Sequence, residues 1–210
     1  MTASALRVIK IGGSLFTFSG LVPTFQSWLG AQPAAVNILV AGGGSLADVV
    51  RDAERRFSLG DATCHWLCVD LLDVSARLLA GLLPTSRFAV TLDDLNRMLS
   101  VEGGAVPIVF CPGHFLRHDE PRMDGPSLPH NWNVTSDSIA ARLAEVLAAD
   151  ELVLLKSADP PSSLAADPEY VDGHFFQASH GLGAVRFVNL RRFTRTREGS
   201  NRGANGSSAS

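Results

Sequence analysis

Leu6-Arg7-Val8-Ile9-Lys10-Ile11-Gly12-Gly13-Ser14 decides the fold. An apolar run of strand length closes on a glycine pair and a hydroxyl residue, which reads as a buried β-strand emptying into a tight turn. The pattern returns at Asn37-Ile-Leu-Val-Ala41, which ends on Gly42-Gly43-Gly44. It returns again at Glu151-Leu-Val-Leu-Leu155, which ends on Lys156-Ser157-Ala158-Asp159. Helical spacing fills the intervals. A short helix is expected over 21–30, with Phe25, Trp28 and Leu29 on one face. A second starts at Ser45 as N-cap, with Leu46, Val49, Val50 and Ala53 in step. A long apolar helix runs over 62–82 until Pro84, a short one over 92–99, and another from Thr135 as N-cap to Ala149, with Ile139, Leu143, Val146 and Leu147 as its buried stripe. Phe88–Thr91 and Pro107–Cys111 read as further strands, and 112–134 as a long loop rich in Pro, His and Asp. Alternating strands and helices, with strands apolar on both faces, predict an α/β chain: an open, mainly parallel sheet covered on both sides.

Composition narrows the partners. At 210 residues, 46% hydrophobic and a formal charge of -3, the chain carries no basic face to suggest nucleic acid as its main partner. No stretch is apolar enough to span a bilayer, and the N-terminus runs straight into a strand, so no membrane partner and a cytoplasmic location are expected. Cys64, Cys68 and Cys111 fit reduced thiols. Cys64-His65-x-x-Cys68 lacks the second ligand pair a zinc site needs, so no metal site is assigned to the chain. Residues 195–210 lack apolar anchors and read as a disordered tail.

Only two of the eighteen basic residues other than histidine are lysines, and both close apolar runs: Lys10 and Lys156. A lysine is a compact mobile ammonium and an arginine a planar fork, so the two are not interchangeable at a crowded phosphate. In open α/β sheets ligands bind beyond the carboxyl ends of the strands. There the glycine turns let backbone N–H groups approach an anion, helped by the following helix end. Neither turn is the common nucleotidase loop, since Gly-x-x-x-x-Gly-Lys-Ser/Thr is absent. Gly42-x-Gly44-x-x-Ala47 formally satisfies a dinucleotide fingerprint, but the acidic residue about twenty positions on, Asp61, falls in a turn and not at a strand end. In Thr135-Ser136-Asp137-Ser138, an aspartate in the first helical turn stabilises the helix through its dipole. It can also orient two lysines at the sheet edge. His114, His118 and His130 share the long loop with Asp119, Glu120 and Asp124, which reads as a solvated lid without a catalytic assignment.

Val-Ile-Lys-Ile-Gly-Gly-Ser-Leu, Val-Ala-Gly-Gly-Gly-Ser, Thr-Ser-Asp-Ser-Ile-Ala-Ala-Arg-Leu-Ala and Leu-Val-Leu-Leu-Lys-Ser-Ala-Asp together resemble the amino acid kinase family, in order, from about residue 6 to 160. His65-Trp-Leu-Cys-Val-Asp70 and Trp132-x-Val-Thr-Ser-Asp-Ser-Ile-Ala resemble, more narrowly, the small kinases of methanofuran biosynthesis. The family resemblance implies a three-layer α/β/α sandwich around about eight strands. One domain over 1–194 would comprise an acceptor lobe to about 150 and a shortened nucleotide lobe over 151–194. The implied reaction is ATP- and Mg2+-dependent phosphoryl transfer to a small anionic metabolite, a phosphomonoester that becomes a diphosphate, in a homodimer or larger homo-oligomer. Lys10, Asp137 and Lys156 would be catalytic. Gly12, Gly13, Ser14 and Asp159 would hold the nucleotide, and Gly42, Gly43, Gly44, Thr135 and Ser136 the acceptor. The family usually continues Asp-Val-Asp-Gly after the second lysine strand, where this chain has Asp159-Pro160-Pro161. A catalytically degenerate kinase fold, or a subunit of a larger enzyme, is the alternative; a dinucleotide-binding oxidoreductase is a more remote one.

Overall fold

Six strands form one sheet in the order β3-β4-β2-β1-β5-β6, and every pairing is parallel. They are β1 (Leu6–Ile11), β2 (Val36–Ala41), β3 (Arg87–Ala89), β4 (Ile108–Phe110), β5 (Glu151–Lys156) and β6 (Val185–Asn189). The computed structural model describes residues 4–100, 106–163, 167 and 169–193, and the tail expected over 195–210 lies outside them. The resemblance implied about eight strands; six are present among the described residues.

Successive side chains of a strand point to opposite faces, and the core divides accordingly. Val8, Ile38, Val40, Phe110, Leu152 and Leu154 belong to one apolar cluster, whereas Ile9, Leu39, Ala41, Val109, Val153 and Leu155 belong to the other. Helix α6 (Ser136–Val146) covers the first face with α4 (Leu92–Ser100) and the short α7 (Phe175–Ala178). Helix α1 (Leu21–Gly30) covers the second through Leu21, Phe25 and Trp28. The 22-residue α3 (Asp61–Leu82) serves both, with Val69 and Leu72 in the first cluster and Ala76 and Leu79 in the second. The result is a three-layer α/β/α sandwich.

Several boundaries differ from the sequence expectation, each for a local reason. Helix α2 (Ser45–Phe57) starts at Ser45 itself; Gly44, at φ 55, stands in the N-cap position. Val50 is buried but Val49 is 68% exposed, because α2 meets the rest of the fold along a narrow stripe. Thr91 leaves β3 to cap α4: its hydroxyl accepts from the Asp94 amide at 3.0 Å, and Asp94 Oδ2 accepts from the Thr91 amide at 3.2 Å, a reciprocal capping box. The segment after β4 is no open loop. It folds as the helical turn α5 (Pro112–His114), a π turn over Phe115–Asp119 and a 3-10 turn over Glu120–Arg122. Phe115, Leu116 and Glu120 are buried.

Helix α6 ends before Ala149. Ala148 takes the left-handed conformation at φ 49, its amide donates to Glu145 O, and the Ala149 amide donates to Ala144 O at 2.9 Å. That is a Schellman ending with alanine where glycine is usual. Every residue from Ser136 to Ala144 is buried, not a stripe alone. Arg142 is accommodated inside by Glu120 Oε1 at 3.2 Å, Glu145 Oε2 at 2.7 Å and the Asp124 carbonyl at 2.8 Å. Those bonds tie α6 to the folded 112–124 segment.

Candidate active site

Strand parity puts Lys10 on the face of Val8, and Lys156 on the face of Leu152 and Leu154. β1 and β5 are hydrogen-bonded neighbours, and both lysines emerge at their carboxyl ends under α6. The second helical residue of α6, Asp137, meets them there. Lys10 Nζ lies 2.7 Å from Asp137 Oδ1, and Lys156 Nζ donates to Asp137 Oδ2 at 2.7 Å. The Lys10 contact is an ion pair off the hydrogen-bonding direction, so Oδ1 has no aligned donor. Lys156 also donates to the Tyr170 carbonyl at 2.6 Å, and the Tyr170 ring faces it at 5.2 Å. Side-chain exposures of 6%, 6% and 13% for Lys10, Asp137 and Lys156 place the triad in a poorly solvated position.

Burial would raise the Asp137 carboxyl, but the two lysines outweigh it and hold the group below the ordinary carboxylate range. Burial, with help from Lys10, pushes the Lys156 ammonium down to about 8 against the pull of Asp137. Two ammoniums against one carboxylate leave the triad itself with a net positive charge, beside the Asp167 and Glu169 carboxylates of the cavity wall.

The glycine turns are built by backbone contact. A Cβ on Gly13 would stand 2.1 Å from Gly44 N, and one on Gly44 would stand 2.6 Å from Gly13 O, so the two turns interlock only as glycines. Two of the expected anion donors are already used. The Gly12 amide donates to Leu155 O and the Gly42 amide to Ile11 O, both at 2.8 Å, extending the sheet ladder. Gly12 and Gly42 therefore give close approach, not N–H groups. Gly13, Ser14, Gly43 and Gly44 face the crevice.

Two cavities meet at this point. One of about 330 Å³ runs under Gly43, Gly44, Thr135 and Ser136 to Arg51, His65 and Trp132. The other, about 310 Å³, is walled by Gly12, Lys156, Ser157, Ala158, Asp167 and Tyr170. Lys10, Gly13, Ser14 and Glu169 line both. The Ser14 and Ser157 hydroxyls, 2.7 Å apart, join the two strand ends. Asp159 does not line either cavity: it accepts from Asn189 Nδ2 at 2.9 Å and pairs with Arg192, which turns it toward β6.

Asp61 opens α3, away from both cavities, so the dinucleotide fingerprint has no ribose acid. In the 112–134 segment, His114 bonds Asp119 and its ring packs at a tilt against His118, whereas His130 stacks on His65 and abuts Trp66. His130 therefore belongs to the wall behind the larger cavity, and burial with the nearby His130 lowers the proton affinity of His65. Among the described residues no group of three or more His, Cys, Asp and Glu is placed to hold a metal. No described helix is long and apolar enough to cross a membrane.

Polar residues at the site that the sequence did not single out include Arg51 and Glu169, which line the cavities, and Asp172. Asp172 accepts from the Thr135 amide and hydroxyl and from the Ser138 amide and hydroxyl, at the start of α6. The available signal was the Asp-Gly pair in Tyr170-Val171-Asp172-Gly173, which fixes a turn but not its partner.

Known proteins share this arrangement of elements. UMP kinase from Bacillus anthracis superposes with a TM-score of 0.58 at 14% identity, covering 90% of this chain and 89% of that one. Uridylate kinase from Archaeoglobus fulgidus gives 0.52 at 21% identity, covering 78% and 68%. In sequence, the chain is 23% identical over 155 residues to [5-(aminomethyl)furan-3-yl]methyl phosphate kinase of Methanocaldococcus jannaschii, covering 73% of this chain and 67% of that relative. The model of the amino acid kinase family matches residues 5–160, which contain both glycine turns, Asp137 and both lysines. By that match the chain belongs to the amino acid kinase family, whose members are phosphotransferases.

Proposed function

We propose that the chain transfers the terminal phosphoryl group of ATP to a small phosphomonoester, of the aminomethylfuran-methyl phosphate type, making a diphosphate. The observation that carries this reading is Lys10, paired to Asp137 and standing where the two cavities join. The smaller cavity takes the donor's phosphates against Gly13, Ser14 and Lys156. The larger takes the acceptor, with its anionic end toward Gly43 and Gly44 and its body toward His65 and Trp132. Thr135 and Ser136 line the acceptor side.

A phosphate oxygen of the acceptor forms the new bond to the terminal phosphorus, and the bond to the bridging oxygen breaks with its electron pair leaving on ADP. An acceptor already ionised has no proton to lose, so no general base is required. Asp137 is unsuited to that part in any case, since both of its oxygens face ammoniums. Its task is to hold Lys10 and Lys156 where negative charge builds on the moving group and the bridging oxygen. The net positive charge of the triad suits that place. Mg2+ carried by the donor's phosphates supplies further charge neutralisation; no residue of the chain is assigned as its ligand.

In this reading residues 1–194 form one domain, with acceptor functions to about 150 and a short nucleotide lobe after it, working in the cytoplasm as a homo-oligomer. The partly exposed apolar stripe Leu67, Val74, Leu78 and Leu82 on α3 is the surface that supports self-association. A second reading, a kinase fold that binds without turnover, rests on Asp159, which is drawn away to Asn189 and Arg192.

The test is phosphorus NMR of the purified protein with ATP, Mg2+ and [5-(aminomethyl)furan-3-yl]methyl phosphate, with UMP and aspartate as competing acceptors. A diphosphate doublet with the furan phosphate supports the proposal. Transfer to UMP or aspartate instead refutes the acceptor assignment. ATP-induced thermal stabilisation without transfer to any acceptor favours the second reading.

A further inference from the structure

We propose that Asp172 is a positioning residue for phosphoryl transfer: delivered by the segment after β5, its carboxylate completes the N-terminus of α6 and so fixes Asp137 between the two lysines. The inference rests on the kinase reading above and adds to it a residue outside the triad.

Helix starts leave amides without intrahelical partners, which a side chain of the N-cap residue usually satisfies. Thr135 occupies that place, yet its side chain makes no capping bond. Its hydroxyl is turned outward and donates to Asp172 Oδ2 at 2.8 Å. The same oxygen accepts from the Thr135 amide at 2.8 Å and the Ser138 amide at 3.0 Å. Oδ1 accepts from the Ser138 hydroxyl and from the His174 amide at 3.3 Å. A carboxylate 34 residues beyond Ser138 thus does the work of a cap. Asp137 lies between the two residues it grips.

A plain cap would matter only to stability. The connection to the triad comes from the rest of the segment. Tyr170, two residues before Asp172, accepts from Lys156 Nζ through its carbonyl, and Glu169 lines both cavities. The segment therefore holds Lys156 from one side and α6 from the other. Around the Lys156 ammonium stand Lys10 from β1, Asp137 from α6, and the Tyr170 ring and Asp172 from this segment, with Asp167 and Glu169 along the cavity wall. Burial and Lys10 weaken its hold on the proton, and Asp137 and Asp172 strengthen it. Asp172 thus acts on the triad through both geometry and charge.

The scarcity of lysine makes the test direct. Protein grown with carbon-13 lysine carries two labelled side chains, so the titration of Lys156 can be followed without substrate, whether or not the kinase reading holds. Asp172→Asn keeps the shape and removes the charge. The Lys156 midpoint is expected to fall below its wild-type value. Where transfer is measurable, kcat is expected to drop by on the order of 10- to 100-fold, the scale of a small misplacement, with donor KM little changed. A folded Asp172→Asn protein whose Lys156 titrates as in wild type overturns the proposal, even if its melting temperature falls. If Asp172→Asn does not fold, Thr135→Val is read instead, since it keeps the carboxylate and removes one donor. A displaced Lys156 signal at neutral pH supports the coupling, and an unmoved one overturns it.

Discussion

Replacing Asp137 by asparagine asks the most of the site, because it leaves two buried ammoniums side by side without their counter-charge. Each contact of 2.7 Å is worth about 6 kcal/mol of Coulomb attraction at an effective dielectric of about 20. Desolvation and the repulsion between the lysines consume much of that. The net cost of removing one partner from a buried pair is about 3–5 kcal/mol, a large part of the roughly 5–15 kcal/mol that holds a domain together. The pH dependence identifies the cause. In the wild type Asp137 is held below the ordinary carboxylate range, so it stays ionised through the neutral region, and Lys156 keeps its proton up to about 8. Without Asp137 the Lys156 proton is held less tightly still. A buried lysine with lowered proton affinity carries its full penalty while charged and sheds it as pH rises through the folded-state midpoint, because the unfolded chain then binds more protons. Urea unfolding of Asp137→Asn should therefore show a deficit of about 3–5 kcal/mol near pH 6 that shrinks as pH rises toward about 8, whereas this site leaves wild-type stability flat until pH approaches its own Lys156 midpoint of about 8. A deficit that does not change with pH, or none at all, refutes the account of the triad.

Three further outcomes are expected. Lys10→Arg should fold, as circular dichroism will report, yet lose on the order of 10²- to 10³-fold in turnover, because a planar fork cannot replace an ammonium beside the interlocked turns. Gly13→Ala places a Cβ 2.1 Å from Gly44 N; urea titration should show a loss of at least about 1–3 kcal/mol, the usual cost of overpacking. Transfer needs Lys156 as an ammonium, so kcat/KM should fall as pH rises through about 8; a kcat/KM that stays level through that range would exclude Lys156 from charge stabilisation.

Strands β1 to β5 and the lysines were legible in the sequence because parallel strands buried on both faces read as apolar runs, and a lysine closing such a run has few reasons to be there. The edge strand β6 was not, because it is only half-buried and Arg186 and Asn189 interrupt its apolar residues. The glycine turns were legible as turns, but not as the partners they are. That Gly13 and Gly44 touch, and that the Gly12 and Gly42 amides continue the ladder, depends on β1 and β2 being neighbours in register. Asp159 follows Lys156 closely enough to invite assignment to the site, yet Arg192 and Asn189 compete for it from β6 and the turn after it. Asp172 was hidden for the same reason. Four of its five donors lie 34 and 37 residues away in sequence, across β5, and no local pattern records that pairing. The 112–124 segment read as a loop because its prolines and histidines mask a core anchor, Phe115 and Leu116, and a buried ion pair, Glu120 with Arg142.

The placement of both lysines on alternate positions of adjacent strands has a consequence for how such a chain can change. Adding or deleting one residue within β1 or β5 turns every later side chain of that strand through to the opposite face. An insertion before Lys10 would send its ammonium toward Phe25 and Trp28 and bring an isoleucine under Asp137, while leaving the strand as apolar as before. Hydrophobicity alone would not register the damage. The lengths of these two strands are thus fixed in parity by the chemistry at their ends. Libraries built on this scaffold should leave β1 and β5 untouched to the residue.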